Sequence, residues 1–333
     1  MNILKPFMSC ALLLAAFAVQ PAAAFDCAKA RSTVEKAICA DAALKAADDA
    51  MAKAYVELRN SITGPDRKVL GAAQSKWLKA REDGCGYQQG AELRDCILSR
   101  TVERRRLLAA EPESGPGTGS RLMPVFVQQD GDAHHYDVDY TLLKFVKPKA
   151  RGESLFNAEV GKLIKDAPLA REKDAAPEGM TYMAHMSLAL TYASPKLLSA
   201  QIEGWTFSGG AHGNGGTWGL TIDLARGAAL KAADLFDGKA VQSLKGECVK
   251  QILAQKKEKL AGEDFDPAND PIYSEQTVVE HLNALDRWSF WKDKAAVTFD
   301  AYSIGSYAEG SYKCDFAMDS LRKLAKPGAR LPE

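Results

Sequence analysis

A segment of ten residues divides this chain into two parts that differ in hydrophobic periodicity. Residues 111–120 read EPESGPGTGS, where Pro, Gly and Ser dominate and no apolar side chain is available for burial. Such a composition is typical of a linker. Apolar residues recur at helical spacing before it and at every second position after it. We therefore predict a helical domain at residues 25–110, a linker at residues 111–120 and a second domain at residues 121–333.

The first of these parts carries the start and stop signals of several helices. Ser32 and Glu35 form a capping box, and Asp41 is a suitable N-cap for the next helix. Gly64-Pro65 ends that second helix, and Gly84-Cys85-Gly86 ends the third. The apolar face of the second helix recurs at close to 3.6 residues, which predicts a helix packed on a core. That face consists of Leu44, Met51, Tyr55, Leu58 and Ile62.

Residues 121–333 combine alternating segments with helical ones. The longest alternation runs from Tyr182 to Tyr192, and shorter ones cover residues 218–224, 297–301 and 312–316. Alternation of this kind predicts half-buried strands. The fold class predicted is therefore a small disulfide-stapled helical domain followed by an α+β domain with a mainly antiparallel sheet. The helical segments predicted between the strands are residues 155–164, 239–257, 274–285 and 319–324.

The N-terminal residues have the form of an export signal. Lys5 supplies a positive charge, the stretch from Met8 to Val19 is apolar, and Ala22-Ala23-Ala24 supplies small residues for cleavage. We predict a secretory signal peptide at residues 1–24 and a periplasmic location. A bilayer span needs about 20 consecutive apolar residues. We therefore expect no membrane span after the signal is cleaved.

Six of the seven cysteines remain after that cleavage. An even number in an exported protein predicts disulfides. Four of them lie before residue 100 and allow three connectivities; we favour the two local pairs. The two late cysteines are expected to join the helix at residues 239–257 to the last predicted strand. The favoured pairs are Cys27–Cys39, Cys85–Cys96 and Cys248–Cys314.

Charge differs between the two parts. Residues 25–110 carry 16 basic and 12 acidic side chains, a net charge of +4, and residues 111–333 carry 26 and 31, a net charge of −5. A mildly acidic second part argues against nucleic acid as a partner and is compatible with a basic protein.

A glycine-rich stretch is the first candidate for a partner-binding site. Glycine permits positive φ and close backbone approach, so the stretch is suited to a ligand-contacting loop with His212 at its tip. The alternative interpretation is a wide turn between two strands, with His212 holding the loop to the sheet. The residues assigned to this candidate are Ser208, Gly209, Gly210, His212 and Asn214.

The second candidate is the segment from Tyr302 to Gly310, which is rich in Tyr, Ser and Gly. Tyrosine brings a large contact area at low entropic cost, which suits recognition surfaces. We assign Tyr302, Tyr307 and Glu309 to a binding edge. The alternative is a strand bend on which the tyrosines pack.

The residues predict neither catalysis nor a cofactor. G-x-S-x-G, H-E-x-x-H and C-x-x-C are absent from the sequence, and all six remaining cysteines are expected to be oxidised. The adjacent His134 and His135 would point to opposite faces of a strand, which is unsuited to a shared metal. We therefore expect a protein that is not an enzyme and that needs no cofactor or metal.

The helical part carries several landmarks at characteristic spacing: Phe25-Asp26-Cys27, the segment from Val34 to Cys39, the helix around Tyr55 and the segment from Gln74 to Arg81, followed by Cys85 and Cys96. On these landmarks, residues 25–110 resemble the LprI-like N-terminal domain of lysozyme inhibitors. The resemblance implies an association with lysozyme inhibition.

The second part carries four landmark segments: Phe156-Asn157, residues 207–212, Leu235-Phe236 and residues 299–310. On these segments, residues 121–330 resemble the extracytoplasmic domain of RsiV-type anti-sigma factors, and a similar domain precedes the catalytic unit of some peptidoglycan deacetylases. This resemblance implies a domain that senses lysozyme by binding it.

Both resemblances lead to one expectation about function. We expect a periplasmic protein that binds lysozyme or a related cell-wall hydrolase and so protects peptidoglycan. The alternative is an envelope module that binds peptidoglycan or another glycan and inhibits nothing.

Overall fold

A computed structural model of the protein describes residues 26–130, 136–169, 180–260, 266–267 and 269–333. The predicted signal peptide and the His134-His135 pair lie outside these residues. Helices fill the first part of the chain and an α+β arrangement fills the rest, so the predicted fold class is confirmed. Within the described ranges, no helix combines the length and apolar character that a bilayer crossing requires.

Four helices form the first part, and their ends match the capping signals in the sequence. Ser32 accepts a hydrogen bond from the Glu35 backbone, and the Glu35 side chain accepts one in return. Asp41 caps the second helix by accepting from the backbone amides of Ala43 and Leu44. The helices are α1 (Thr33–Ala40), α2 (Ala42–Ser61), α3 (Pro65–Cys85) and α4 (Gly90–Ala109).

Two local disulfides hold this helical part together. Cys27 pairs with Cys39 and Cys85 pairs with Cys96, which confirms the favoured connectivity. Their Cα atoms lie 5.7 and 5.8 Å apart, in the usual range for a disulfide. A third link is a buried ion pair between Arg81 on α3 and Asp48 on α2, with 2.8 Å between nitrogen and oxygen.

The segment predicted as a linker is held against the second part of the chain. The Glu113 amide donates to the Leu190 carbonyl at 2.8 Å, and the Ala193 amide donates to the Ser114 carbonyl at 3.1 Å. The Gly117 amide donates to the Ala193 carbonyl at 3.0 Å. These hydrogen bonds satisfy backbone amide and carbonyl groups that, in a free linker, would bond to water. The segment therefore runs along the end of one strand in a fixed path.

A six-stranded sheet forms the centre of the second part, with the strands arranged in chain order. All neighbours are antiparallel except β2 and β3, which are parallel because α5 (Arg151–Lys165) crosses between them. The strands are β1 (Leu122–Gln129), β2 (Tyr136–Phe145), β3 (Tyr182–Ala193), β4 (Leu197–Phe207), β5 (Asn214–Asp223) and β6 (Ala228–Ala229).

Among the described residues, a three-stranded antiparallel sheet and four further α-helices complete the fold. Cys248 and Cys314 form the third disulfide, which joins a long helix to the last strand as predicted. The strands are β7 (Trp288–Phe290), β8 (Lys294–Phe299) and β9 (Tyr312–Ala317). The helices are α6 (Ala232–Leu235), α7 (Gly238–Lys259), α8 (Glu275–Asn283) and α9 (Met318–Leu324).

The two faces of the six-stranded sheet differ in chemistry. One face is apolar: Val138 and Leu142 of β2 pack with Phe156 and Val160 of α5, and all four are fully buried. The helical part contacts the edge strand β1. There, Phe126 packs against the hydrophobic cluster formed by core residues of the helical part. The opposite face of the sheet carries polar side chains, and the candidate binding surface lies there.

Candidate binding surface

Strand register aligns polar side chains in rows across the sheet. Because side chains alternate between faces, residues paired across neighbouring strands share a face. The first row is Asp139, His185, Trp205 and Gly215, on β2 to β5. The second row is Thr141, Ser187, Glu203 and Thr217.

Two adjoining cavities lie over these rows. The first, of about 720 Å³, is walled by the segment that includes Asp300, Tyr307 and Lys313. The second, of about 460 Å³, is walled by α4. Both cavities are lined by Thr141, Ser187 and Glu203, so they adjoin each other over the same part of the sheet. We call this combined space the sheet-face groove.

The glycine-rich stretch forms the turn from β4 to β5. Gly209 and Gly210 have φ values of +91° and +98°, which other residues rarely adopt. Gly213 lies against the ring of Trp205, and a Cβ atom there would be 2.2 Å from the Cζ2 atom of that ring. The glycines therefore permit a tight turn and a close approach to Trp205. Among the other predicted residues, Ser208 precedes the turn and Asn214 begins β5.

The two candidate segments meet in a group of three aromatic rings. His212 and Tyr307 are stacked with ring centroids 3.7 Å apart, and Tyr302 lies 6.4 Å from His212 on the same surface. The Tyr302 hydroxyl is 3.3 Å from Nε2 of His212, and the Tyr307 hydroxyl donates to the Gly213 carbonyl at 3.1 Å. Tyr302 and Tyr307 remain 54% and 38% exposed. We call His212, Tyr302 and Tyr307 the aromatic cluster; Tyr307 also lines the groove, so the cluster forms part of its rim.

Tyr302 adopts an unusual backbone conformation. Its φ of +70° places it in the left-handed region, which costs a residue with a side chain about 1–2 kcal/mol. The turn around it is closed by hydrogen bonds from the Tyr302 amide to the Gly305 carbonyl and from the Ser303 amide to the Asp300 carbonyl, both at 3.0 Å. Strain of this kind occurs often at ligand-binding positions.

Glu309 faces inward from the same segment. Its carboxylate accepts from Nζ of Lys256 at 2.9 Å, from the Tyr312 hydroxyl at 2.5 Å and from the Ser306 amide at 2.5 Å. Lys256 is fully buried and also pairs with Asp270 at 2.8 Å. Glu309 therefore fixes the segment that carries the two tyrosines and points away from the exposed side of the cluster.

The pKa of Glu309 reflects this environment. Burial alone would raise it, but the hydrogen bonds from Tyr312, Lys256 and Ser306 outweigh burial and lower the pKa to about 2. In Tyr312, burial and the hydrogen bond to Glu309 raise the pKa of the phenol. The carboxylate consequently stays charged over the physiological pH range.

Several groove residues were not identified from the sequence. Trp205, His185, Glu203 and Asp139 lie on the floor, and all but His185 belong to strands that the alternation did not reveal. Burial raises the pKa of Asp139, although the nearby positive charges of Lys76 and of His185, when protonated, oppose that effect. A carboxyl group with a raised pKa on the floor of a cleft is a common property of functional sites.

Metal chemistry is not indicated by the part of the chain that the structure describes. No group of three or more His, Cys, Asp and Glu side chains within it is arranged to hold a metal ion. The described geometry offers stacking surfaces and hydrogen-bonding groups, which suit binding.

Comparison with curated proteins gives no match. Among solved structures, the chain is similar to a DUF3298-family member from Bacteroides fragilis NCTC 9343, with 18% identity, a TM-score of 0.46, and coverage of 63% of this chain and 94% of that one. It is also similar to a DUF3298-family protein from Pseudomonas aeruginosa PAO1, with 15% identity, a TM-score of 0.48, and coverage of 66% and 100%. The RsiV-type resemblance of the second part is not confirmed by these matches and stays a prediction.

Comparison with family models confirms the resemblance of the helical part. The match begins at residue 26, next to the first disulfide, and ends at residue 108 in the last turn of α4. Residues 26–108 match the family described as Lysozyme inhibitor LprI.

Proposed function

We propose that this protein binds a lysozyme and blocks it, and thereby protects peptidoglycan. The observation that carries the proposal is the convergence of His212, Tyr302 and Tyr307, which come from two segments about 90 residues apart in the chain. The match of residues 26–108 to a lysozyme-inhibitor family supports the choice of partner.

The aromatic cluster has the properties of a protein-contact surface. Tyrosine is enriched among the residues that dominate protein interfaces, because it presents a large and rigid surface with a polar end. The ring stacking and the inward anchor of Glu309 hold the tyrosines before any partner arrives. A surface that is already ordered loses less conformational entropy on binding.

The electrostatics are compatible with a basic partner. Residues 111–333 carry a net charge of −5. Complementary charge accelerates encounter and favours one partner over others more than it adds affinity. A basic lysozyme that approaches this part of the protein would therefore be attracted before the rings make contact.

The mode of inhibition that we propose is steric. The aromatic cluster and the neighbouring turn would enter or cover the lysozyme cleft and occupy the space of the glycan substrate. No chemical step by this protein is needed, and the matched family is described as an inhibitor.

The three disulfides and the inhibitor-family match indicate an extracytoplasmic protein. We propose the periplasm as the specific location, with export directed by residues 1–24 and cleavage after Ala24.

The alternative function is binding to peptidoglycan or another glycan without inhibition. Trp205 on the groove floor favours it, because sugar rings stack readily on an indole. This alternative predicts that the protein sediments with purified sacculi while lysozyme activity stays unchanged.

A lysis assay tests the proposal. The protein is added to a c-type or g-type lysozyme, and the clearing of a cell-wall suspension is followed with wild type, His212→Ala and Tyr87→Ala. Tyr87 is a matched control because it is 76% exposed and lies in the helical part. We expect wild type and Tyr87→Ala to slow lysis, and His212→Ala to be weaker. Lysis at the unaltered rate with wild type for both lysozymes would contradict the proposal.

A further inference from the structure

The first cavity of the sheet-face groove presents the indole ring of Trp205 among hydrogen-bonding side chains, and Trp77 lines the second cavity. The ring centroid of Trp205 lies 5.8 Å from that of His185 and 6.4 Å from that of Phe207. Its cross-strand partner on β5 is Gly215, which has no side chain, whereas the backbone at Gly213 lies against the Cζ2 atom of the ring. The indole therefore contributes an aromatic surface to the first cavity.

Hydrogen-bonding groups surround this ring in a regular arrangement. Thr141, Ser187, Glu203 and Thr217 form the adjacent row, and Glu203 is exposed. The hydroxyls can donate and accept, whereas the ionised carboxylate only accepts. Along the strands, the groove floor covers Trp205, Glu203 and Gln201, a distance of about 14 Å at the usual rise per residue.

The charges of the groove are largely compensated within the protein. Asp139 lies 4.0 Å from Nζ of Lys76, and Asp300 pairs with Arg287 at 3.0 Å. Lys313 adds a positive charge to the same wall. A strongly cationic peptide would find little net charge to neutralise here. A neutral ligand that carries many hydroxyl or amide groups is better suited to this lining.

We infer that the sheet-face groove binds a neutral glycan chain, with one sugar ring stacked on Trp205 and its hydroxyl or acetamido groups bonded to Glu203 and the neighbouring hydroxyls. A pyranose ring has an apolar C–H face and a polar rim, so it needs an aromatic platform beside hydrogen-bond partners. The length of the floor fits a short oligosaccharide better than a single ring.

This glycan site adjoins the lysozyme contact proposed for the aromatic cluster, because Tyr307 lines the same cavity as Trp205. The stacking platform is on β4 at the floor, and the aromatic cluster is at the rim. Asp139 lies on the same floor, and burial raises the pKa of its carboxyl, as expected of a site kept partly free of water.

The test uses the full chain and a soluble β-1,4-linked tetramer of N-acetylglucosamine, in the absence of lysozyme. Binding is followed by ligand-observed NMR with wild type, Trp205→Ala, Glu203→Ala and Tyr87→Ala. Glu203 is exposed, so its replacement keeps the test valid even if Trp205→Ala fails to fold. Tyr87 lines neither cavity and serves as the matched control.

We expect wild type and Tyr87→Ala to bind the tetramer at millimolar concentration or below. Trp205→Ala should weaken binding about tenfold, and Glu203→Ala should weaken it severalfold. Two results would overturn the inference: no binding by wild type, or equal binding by wild type and both groove variants. Preference of wild type for a lysine-rich hexapeptide over the tetramer would also overturn it, in favour of a cationic peptide site.

Discussion

The imidazole ring of His212 stacks on the phenol ring of Tyr307, with centroids 3.7 Å apart and planes inclined by 16°. His212 belongs to the turn between β4 and β5, and Tyr307 belongs to the segment that precedes β9. The stack therefore joins the six-stranded sheet to the three-stranded one at the rim of the groove.

A double-mutant cycle measures the strength of this stack. Tyr307→Ala and His212→Ala should each destabilise the fold slightly, and the double variant should be more stable than the sum of both effects predicts. Aromatic pairs typically contribute about 0.5–1.5 kcal/mol beyond area burial, and this exposed pair should lie at the lower end. Urea unfolding of the four proteins gives the coupling energy. A coupling of zero would mean that the rings do not stabilise each other.

The backbone of Tyr302 leads to a prediction that separates strain from binding. Because its φ is +70°, Tyr302→Gly should be more stable than Tyr302→Ala by about 1 kcal/mol, since glycine adopts this conformation without a Cβ penalty. Both variants lack the Tyr302 side chain, so both should lose the same contact with lysozyme. Thermal unfolding and a binding assay on the two variants check this. Equal stability of the two would show that the left-handed conformation is not maintained in solution.

The buried lysine beneath the binding segment predicts a large stability effect. Lys256→Met should destabilise the protein by about 3–5 kcal/mol, because Glu309 and Asp270 would lose their buried cationic partner. The triple variant with Glu309→Gln and Asp270→Asn should recover much of that loss, since the uncompensated charges are removed. Chemical unfolding measures both. If Lys256→Met alone were as stable as wild type, the ion cluster would not exist in the folded protein.

Lowering the pH should reduce the free energy of unfolding through protonation of Glu309, in a defined pH window. The pKa of Glu309 is lowered from an ordinary value of 4.5 to about 2 in the folded protein. Its contribution to stability is therefore complete above the ordinary value and is lost as pH falls towards 2. The free energy of unfolding of wild type should fall over this range more steeply than that of Glu309→Gln. If the free energies of unfolding of wild type and Glu309→Gln changed in parallel with pH, the lowered pKa of Glu309 would be contradicted.

The sequence predicted the helical part of this fold well because its signals are local. Caps at Ser32 and Asp41, and cysteines only about a dozen residues apart, act over short distances in the chain. The alternation around Tyr182 to Tyr192 was equally visible, because one face of β3 is buried. The strand β4 was harder to recognise, since its first four residues are all buried and its later ones alternate only weakly.

The candidate site was only partly predictable, because its contacts form between segments that are far apart in the chain. His212, Tyr302 and Tyr307 could be chosen by residue type, but their contact depends on how two sheets pack. The inward direction of Glu309 depends on Lys256, which lies 53 residues away. Trp205 was missed because its importance comes from its neighbours on β3 and β5 rather than from its own segment.

Calorimetric titration of the full chain against a c-type lysozyme is the most direct test of the central claim. Salt at about 0.15 M limits simple charge attraction. We predict saturable one-to-one binding by wild type and by Tyr87→Ala, and a loss of at least about tenfold in affinity for Tyr307→Ala, which is the size expected for an interface hot spot. Unchanged affinity of Tyr307→Ala together with weakened binding by Tyr87→Ala would contradict the account and place the contact in the helical part.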